Sequence, residues 1–158
     1  MKLLPSPTSA SVSDRKRRGA AVVEFAIVCP ILALVLLGMI ELCRGIQVKV
    51  MLSDAARKGC RTGIQRDKAN ADITTDCTNI MTDNNFDSTK FNPSAGIGSI
   101  TITVTDPNGN ILADSLDAPS GSIVSVQVSI PVSSTTWVPS VFLTTGSLES
   151  ETVVMMKQ

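Results

Sequence analysis

The feature that most constrains this chain is an apolar segment directly after a cluster of basic residues. Phe25–Ile40 holds 16 residues without a charge, fewer than the roughly 18 to 20 that cross the hydrocarbon core of a bilayer. Counting from Ala20 gives 21 residues, about 31 Å of helix, but this includes the carboxylate of Glu24. The segment therefore predicts a membrane helix that holds an acid near one end.

Charge is distributed unevenly along the chain, although the formal net charge is zero. Residues 1–19 carry five Lys and Arg against one Asp, and residues 20–158 carry nine against thirteen acids. The larger part therefore lacks the basic balance that is typical of nucleic-acid binding. Histidine is absent, which excludes Ser–His and Cys–His pairs and histidine metal sites. The composition thus argues against an enzyme, and we expect no cofactor, metal site or small-molecule substrate.

Three interpretations of the apolar segment remain open. A secretory signal peptide would need a small-x-small cleavage site, but the sequence continues as a helical pattern. A permanent anchor would place Glu24 beside Arg17 or Arg18 at the lipid boundary, with the basic N-terminus in the cytoplasm. A leader would be cut between Gly19 and Ala20, and the new amine would then pair with Glu24 of a neighbouring subunit. An acid in lipid that awaits a partner indicates a functional site.

The residues "RKRRG/AAVVEF" resemble the type IV prepilin processing site, where a prepilin peptidase cuts after the glycine. More widely, residues 15–65 closely resemble the TadE-like family, pilin-like proteins of the tight adherence (Flp-type) pilus machinery. The resemblance rests on Arg17-Arg18-Gly19, Val23-Glu24-Phe25, Pro30, Glu41 with Arg44, and Ala55-Ala56-Arg57 with Gly59 and Arg61.

The resemblance implies a minor pilin-like subunit (a pseudopilin) that helps to assemble a tight adherence pilus or a related filament used in secretion and cell adhesion. Gly19 and Ala20 would form the processing site, and Glu24 with Phe25 the assembly residues. The partners would be the prepilin peptidase, the major Flp-type pilin, other minor pilins and the inner-membrane assembly platform. Some members of this family group are anchored without processing. The alternative is a permanently anchored envelope protein whose extracytoplasmic domain binds a ligand.

The periodicity predicts an α+β fold of the pilin-like plan. Residues 1–19 form a basic cytoplasmic leader whose first 13 residues are a disordered tail. Residues 20–42 cross the cytoplasmic (inner) membrane once, 43–68 continue the helix outside to about Arg66, and 69–158 form an extracytoplasmic α+β domain. A second helix is expected over 71–81, followed by three or four antiparallel strands around residues 100–104, 111–112, 124–132 and 147–158. The sheet buries one face on the long helix.

The outer half of the long helix has an apolar stripe and a side made of small residues. Beyond Leu42, the residues that loosely follow one apolar stripe are Ile46, Leu52, Ala56, Cys60 and Ile64. Ala55, Ala56, Gly59 and Gly63 would allow a sheet or another helix to approach closely. Arg57, Lys58 and Arg61 are expected to form a solvated face.

Two further groups of residues are candidate sites. Cys60 and Cys77 would lie in an oxidising compartment, either as a disulfide between the two helices or as two buried free thiols. Glu41 and Arg44 stand at i and i+3, the spacing of an ion pair at the outer membrane face. "DPNGN", from Asp106 to Asn110, predicts a hairpin turn rather than a calcium loop, because its glycine stands at the wrong position.

Overall fold

The computed structural model describes residues 12–84, 86, 89–135 and 146–158, with the side chains of residues 12–18 excepted. The chain divides into two compact units, Met1–Ile40 and Glu41–Gln158. The N-terminal tail predicted to be disordered lies outside the described residues, apart from its last two positions. The segment from Thr135 to Gly146, for which the sequence predicts an irregular apolar loop or a single helical turn, also lies outside them, apart from its two ends.

The first helix, α1, comprises Val12–Gly63. It begins upstream of the predicted start at Ala20, because Lys and Arg favour helix. It ends before the predicted end at Arg66. Beyond it, Asp67 adopts a φ of 60°, and this left-handed conformation is incompatible with a continuing helix. Two of the residues assigned to the tail, Val12 and Ser13, are therefore helical.

The second helix, α2, comprises Asn70–Asp83. It buries Ile73, Cys77 and Met81. Together with the partly buried Ile80, these are the residues whose spacing at i, i+4, i+7 and i+8 predicts the helix. The carboxylate of Asp72, in its first turn, accepts a hydrogen bond from the backbone N–H of Ala69 at 3.1 Å. This contact occupies one of the N–H groups that a helix N-terminus leaves without a helical partner.

Among the described residues, five strands form a single antiparallel sheet: β1 (Ser99–Thr105), β2 (Ile111–Leu112), β3 (Ile123–Pro131), β4 (Ser147–Glu149) and β5 (Val153–Met156). The order is β2-β1-β3-β4, and β5 also pairs with β3. The α+β prediction is confirmed, and the sheet has five described strands where three or four were expected. The reason is that the last predicted strand is divided into β4 and β5, which pair with opposite ends of β3.

Ser150 explains how one strand becomes two. Its backbone N–H donates to the carbonyl of Val128 at 2.8 Å, and its hydroxyl oxygen accepts from the N–H of Val128 at 2.9 Å. A side-chain oxygen thus stands where a ladder carbonyl would be. Since Val128 is fully buried, its N–H has no access to water as an alternative partner.

We expect Ser150→Ala to lower the free energy of unfolding by about 1–3 kcal/mol, the cost of a buried donor without a partner. The change in stability is measured as the urea midpoint of the full chain in detergent. Unfolding is detected by the reaction of Cys60 and Cys77 with a thiol reagent. Ser147→Ala, at an exposed position of β4, is the control. Equal midpoints for the two variants would show that Ser150 is dispensable.

The core lies between the sheet and the two helices. Val124, Val126, Val128 and Ile130 point inward from β3 and are fully buried, as the alternation predicted. From α1 the buried residues are Val48, Leu52, Ala55, Ala56 and Cys60. The predicted stripe was wrong at its N-terminal member, because Ile46 is 65% exposed. Residues six apart on a helix differ by about 240°, whereas residues four apart share a face, so Val48 and not Ile46 continues the face of Leu52.

Small residues on α1 allow the close approach that the sequence predicted. A Cβ added at Gly59 would meet the Sγ atom of Cys77 and lie 3.1 Å from Ile73 Cγ2. A Cβ added at Gly63 would lie 2.8 Å from Ile73 Cδ1 and 2.9 Å from Val124 Cγ1. Both α2 and the sheet therefore approach the backbone of α1 here.

A polar link ties three segments of this unit together. The carboxylate of Asp114 accepts from the backbone N–H of Asn70 at 2.8 Å, and the hydroxyl of Ser115 donates to the carbonyl of Lys68 at 2.7 Å. The buried ammonium of Lys157 donates to the carbonyl of Ser115 at 2.7 Å. The helix connection, the loop after β2 and the C-terminal residues are thereby joined.

The link depends on the charge of Asp114. The hydrogen bond from the N–H of Asn70 is the largest cause of the lowered pKa of the Asp114 carboxyl, because a hydrogen bond to the carboxylate favours the ionised form. The pKa in the folded state is thus lower than in the unfolded chain. The stabilisation is fully present above the unfolded value and is lost as the pH falls through the folded value.

Candidate functional site

The candidate site is built on the exposed apolar surface of α1. Among the described residues, one helix is long and apolar enough to cross a membrane; it lies within Gly19–Gly63, and none of its apolar window is buried. A helix in the core of a soluble protein would be mostly covered by its own chain. The large hydrophobic residues from Val22 to Ile40 are instead 43–68% exposed. This surface needs lipid or protein around it.

The predicted processing residues all lie on this helix. A Cβ added at Gly19 would meet nothing within 4 Å, so packing does not require a glycine here. Glycine is about 1 kcal/mol less favourable than alanine in a helix interior, which makes α1 locally weaker beside the bond to Ala20. The side chains of Arg17 and Arg18 lie outside the description.

The predicted assembly residues follow the processing site on the same helix. Glu24 is exposed, and Phe25 is 68% exposed. The geometry leaves both side chains accessible to a partner, and the role assigned to them stays a prediction.

The apolar surface of α1 continues beyond Ile40 on one side. Leu42, Ile46 and Val50 are 58%, 65% and 56% exposed. Their spacing of four residues places them on one face, roughly opposite the buried face of Val48 and Leu52. This face becomes charged from Asp54 onward. The sequence analysis assigned Ile46 to the packed stripe, whereas the structure leaves it exposed.

Arg44 contacts an aromatic ring of its own domain. Its guanidinium carbon lies 6.0 Å from the centroid of the Phe86 ring, within the range of a cation–π interaction. Its Nε atom is buried and has no hydrogen-bond partner. Phe86 is itself almost completely buried. The sequence predicted an ion pair between Arg44 and Glu41, and that pair stays a prediction.

Cys60 and Cys77 are buried and free in the structure. The thiol of Cys60 donates to the carbonyl of Val153 at 3.0 Å, and that of Cys77 donates to the carbonyl of Ala55 at 3.3 Å. Burial raises the pKa of Cys60 to about 11. Burial, and then the nearby Cys60 and Asp76, raise the pKa of Cys77 to about 12. The structure thus has the free-thiol arrangement, and the disulfide stays a prediction.

The remaining polar motifs have structural roles. Asp106 uses its carboxylate within its own turn, where Oδ1 accepts from the N–H groups of Asn108 at 2.9 Å and Asn110 at 2.8 Å. This is the predicted hairpin turn between β1 and β2. Among the described residues no group of three or more Cys, Asp or Glu could hold a metal ion. Arg57, Lys58 and Arg61 are exposed on α1 as predicted.

These features define a class of protein: one apolar helix suited to a membrane, followed by a small α+β domain. Residues 19–61 match the family model described as TadE-like protein. The resemblance drawn from the sequence is therefore confirmed over this segment, which runs from Gly19 to Arg61 on the basic face of α1. No curated protein and no solved structure matches the chain.

Proposed function

We propose that this protein is a minor pilin-like subunit for the assembly of a tight adherence (Flp-type) pilus or a related filament. It is held in the inner membrane by residues 20–42, with its N-terminus in the cytoplasm and its α+β domain outside. The exposed apolar surface of α1 carries the proposal, because the described residues leave its apolar window uncovered, and such a surface must pack against lipid or other helices. The match of residues 19–61 to the TadE-like family supports it.

Glu24 supplies the specificity of this packing. A carboxylate at a helix centre in lipid costs about 3 kcal/mol on insertion scales, and less near the interface. Cleavage after Gly19 would create a new amine on Ala20, and lateral packing would bring Glu24 of one subunit to the amine of another. The pair would neutralise both charges and fix the axial register of the helices. Other minor pilins, the major pilin and the assembly platform would then be the partners, and a prepilin peptidase the processing enzyme.

The first test is the mature N-terminus. We expect intact mass, measured after expression with a prepilin peptidase, to show a chain that starts at Ala20, and Gly19→Ala to abolish this change. The peptidase-free culture is the control. Glu24→Ala should still be cleaved yet fail to associate with other subunits, because the acid acts after processing.

An unprocessed chain beside a peptidase that cleaves a control prepilin would contradict the cleavage step. Membrane fractionation of the same sample separates the two remaining possibilities. A chain in the membrane fraction would be a permanent anchor, and an extracytoplasmic ligand-binding role for the domain would then be favoured. A chain absent from the membrane would overturn the anchoring itself.

A further inference from the structure

Just beyond the proposed membrane segment, α1 keeps a strip of exposed apolar side chains. Cys43 is exposed, and Ile46 and Val50 are 65% and 56% exposed. The three residues are three and four positions apart, so they lie on one face of the helix. All of them belong to the unit Glu41–Gln158, whose core packs against another side of α1. We call Cys43, Ile46 and Val50 the seam.

The spacing of the seam is that of a coiled coil. Steps of three and four residues alternate between the a and d positions of a heptad, which places Cys43 and Val50 at a and Ile46 at d. The next d position is Ser53. Its hydroxyl donates to the carbonyl of Lys49 at 3.0 Å, so this polar group has a partner within its own helix. A second helix can therefore pack over Ser53 without burying an unpaired donor.

Opposite charges flank the seam. Lys49 stands at a g position and Asp54 at the following e position, and both residues are exposed. In a parallel coiled coil, the g residue of one helix lies beside the following e residue of the other, and such pairs set partner choice and orientation. Within its own chain Asp54 has a distant contact to Arg57, at 3.9 Å, and 59% of its side chain is exposed. Its carboxylate therefore remains accessible to a lysine of another helix.

The seam has a defined end. The a position that follows Val50 is Arg57, which is exposed, and two copies would bring like charges together there. The strip that can pair therefore extends from Cys43 to Asp54, 12 residues or about 17 Å of helix.

We propose that residues 43–54 of α1 pair with the same residues of a second copy of this chain as a short parallel coiled coil. Each seam residue packs against its counterpart in the other copy. Lys49 of each copy pairs with Asp54 of the other, which gives one ion pair on either side of the seam. The contact is isologous, because both copies use the same surface.

The charges favour the parallel arrangement. An antiparallel pair would set g against g and e against e, and Lys49 would no longer have Asp54 as its partner. Two chains inserted in one membrane in the same sense present the seam in parallel, since Cys43 directly follows the proposed span of residues 20–42. The inference rests on the membrane anchoring in the proposed function, and it does not require leader cleavage.

Anchoring also explains how so short a seam can be occupied. Coiled coils are typically sustained over three to four heptads or more, whereas the seam with its flanking charges extends over fewer than two. Confinement of two chains in one membrane raises their effective concentration, and a weak contact can then be occupied. The pair is therefore expected between anchored chains.

Disulfide crosslinking in intact membranes tests the pair. In the full chain, Cys29 and Cys43 are first replaced by alanine, because both are exposed, whereas Cys60 and Cys77 are buried. A single cysteine is then introduced at one position of α1 at a time. Mild oxidation shows which positions link two chains.

We expect Ile46→Cys and Val50→Cys to shift from monomer to dimer mass, because a and d residues oppose the same residues of the second copy. Gln47→Cys is the matched control. It is exposed and lies between the two seam positions in sequence, but it occupies an e position at the side of the seam. It should give several-fold less dimer.

A charge exchange tests the parallel register. In the Val50→Cys chain, Lys49→Asp should lower the dimer yield several-fold, because two carboxylates then face each other on each side of the seam. Asp54→Lys should lower it in the same way. The chain with both substitutions should regain the crosslink, since the attractive pairs return with their charges exchanged. A general loss of structure in the single variants would not be reversed in this way.

Four results would overturn the pair. Ile46→Cys and Val50→Cys could stay monomeric in the membrane, they could give no more dimer than Gln47→Cys, or the charge exchange could fail to restore the crosslink. A crosslink to a protein of another mass would assign the seam to a different subunit. Membrane fractionation of every variant separates these results from a failed anchor, which would contradict the proposed function instead.

Discussion

Gly59→Leu is expected to unfold the domain of residues 41–158 or to lower its stability by about 3 kcal/mol or more, because overpacking a well-filled core costs 1–3 kcal/mol and occasionally more. The first carbon of the new side chain would already meet the Sγ atom of Cys77 and lie 3.1 Å from Ile73 Cγ2. Three further carbons would have to displace α2 or the sheet. The gain in helix propensity over glycine, about 1 kcal/mol, is too small to compensate.

The urea midpoint of the full chain in detergent measures this effect, with labelling of the buried thiols as the readout of unfolding. Lys58→Leu is the matched control: it adds the same side chain at the neighbouring position, which is exposed on α1. We expect the control to unfold at nearly the wild-type midpoint. A Gly59→Leu midpoint equal to that of the control would mean that α2 does not pack where the structure places it.

Cys60 and Cys77 are expected to resist alkylation in the folded protein far more strongly than an exposed thiol. The thiolate is the reactive form, and a pKa raised from 9.0 to about 11 for Cys60 lowers its population about 100-fold at pH 8. The pKa of about 12 for Cys77 lowers it about 1,000-fold. Burial of both side chains adds a steric barrier, so the observed rates should be lower still.

Mass spectrometry of the maleimide-treated full chain, with Cys29 and Cys43 replaced by serine, measures the two rates before and after denaturation. Arg57→Cys provides the exposed reference on the same helix. Rapid labelling of both native thiols would contradict their burial. A chain that stays unlabelled even in urea until a reductant is added would instead establish the Cys60–Cys77 disulfide, the other alternative drawn from the sequence.

Much of the fold was predictable because local periodicity is strong where the elements are regular. Alternation from Val124 to Ile130 predicted β3, and the spacing of Ile73, Cys77 and Met81 predicted α2. Both signals arise from one buried face repeated along an element. The division of the last strand was not predictable, because it depends on a hydrogen bond between the Ser150 hydroxyl and Val128, whose positions are brought together only by the sheet.

The candidate site also has features that the sequence predicted and features that only the fold revealed. The basic leader, Gly19, Glu24 and the apolar run are contiguous in the chain, and contiguous residues can be interpreted from sequence alone. The stripe beyond Leu42 was misassigned at Ile46, since several apolar residues there could face the core and only packing selects Val48. The link from Lys68 and Asn70 to Asp114, Ser115 and Lys157 was missed, because its members are far apart in sequence and individually unremarkable.

The sequence alone determined that this chain has a membrane-compatible helix with an acid after a basic leader, followed by a helix and an antiparallel sheet. Hydrophobicity and period are properties of neighbouring residues, and they need no knowledge of the fold. The tertiary structure decided which apolar residues remain exposed. Ile111, Ile123, Val154 and Met156 share one exposed face of the sheet only through strand register, because residues of four separate strands become neighbours when β2, β1, β3 and β5 pair.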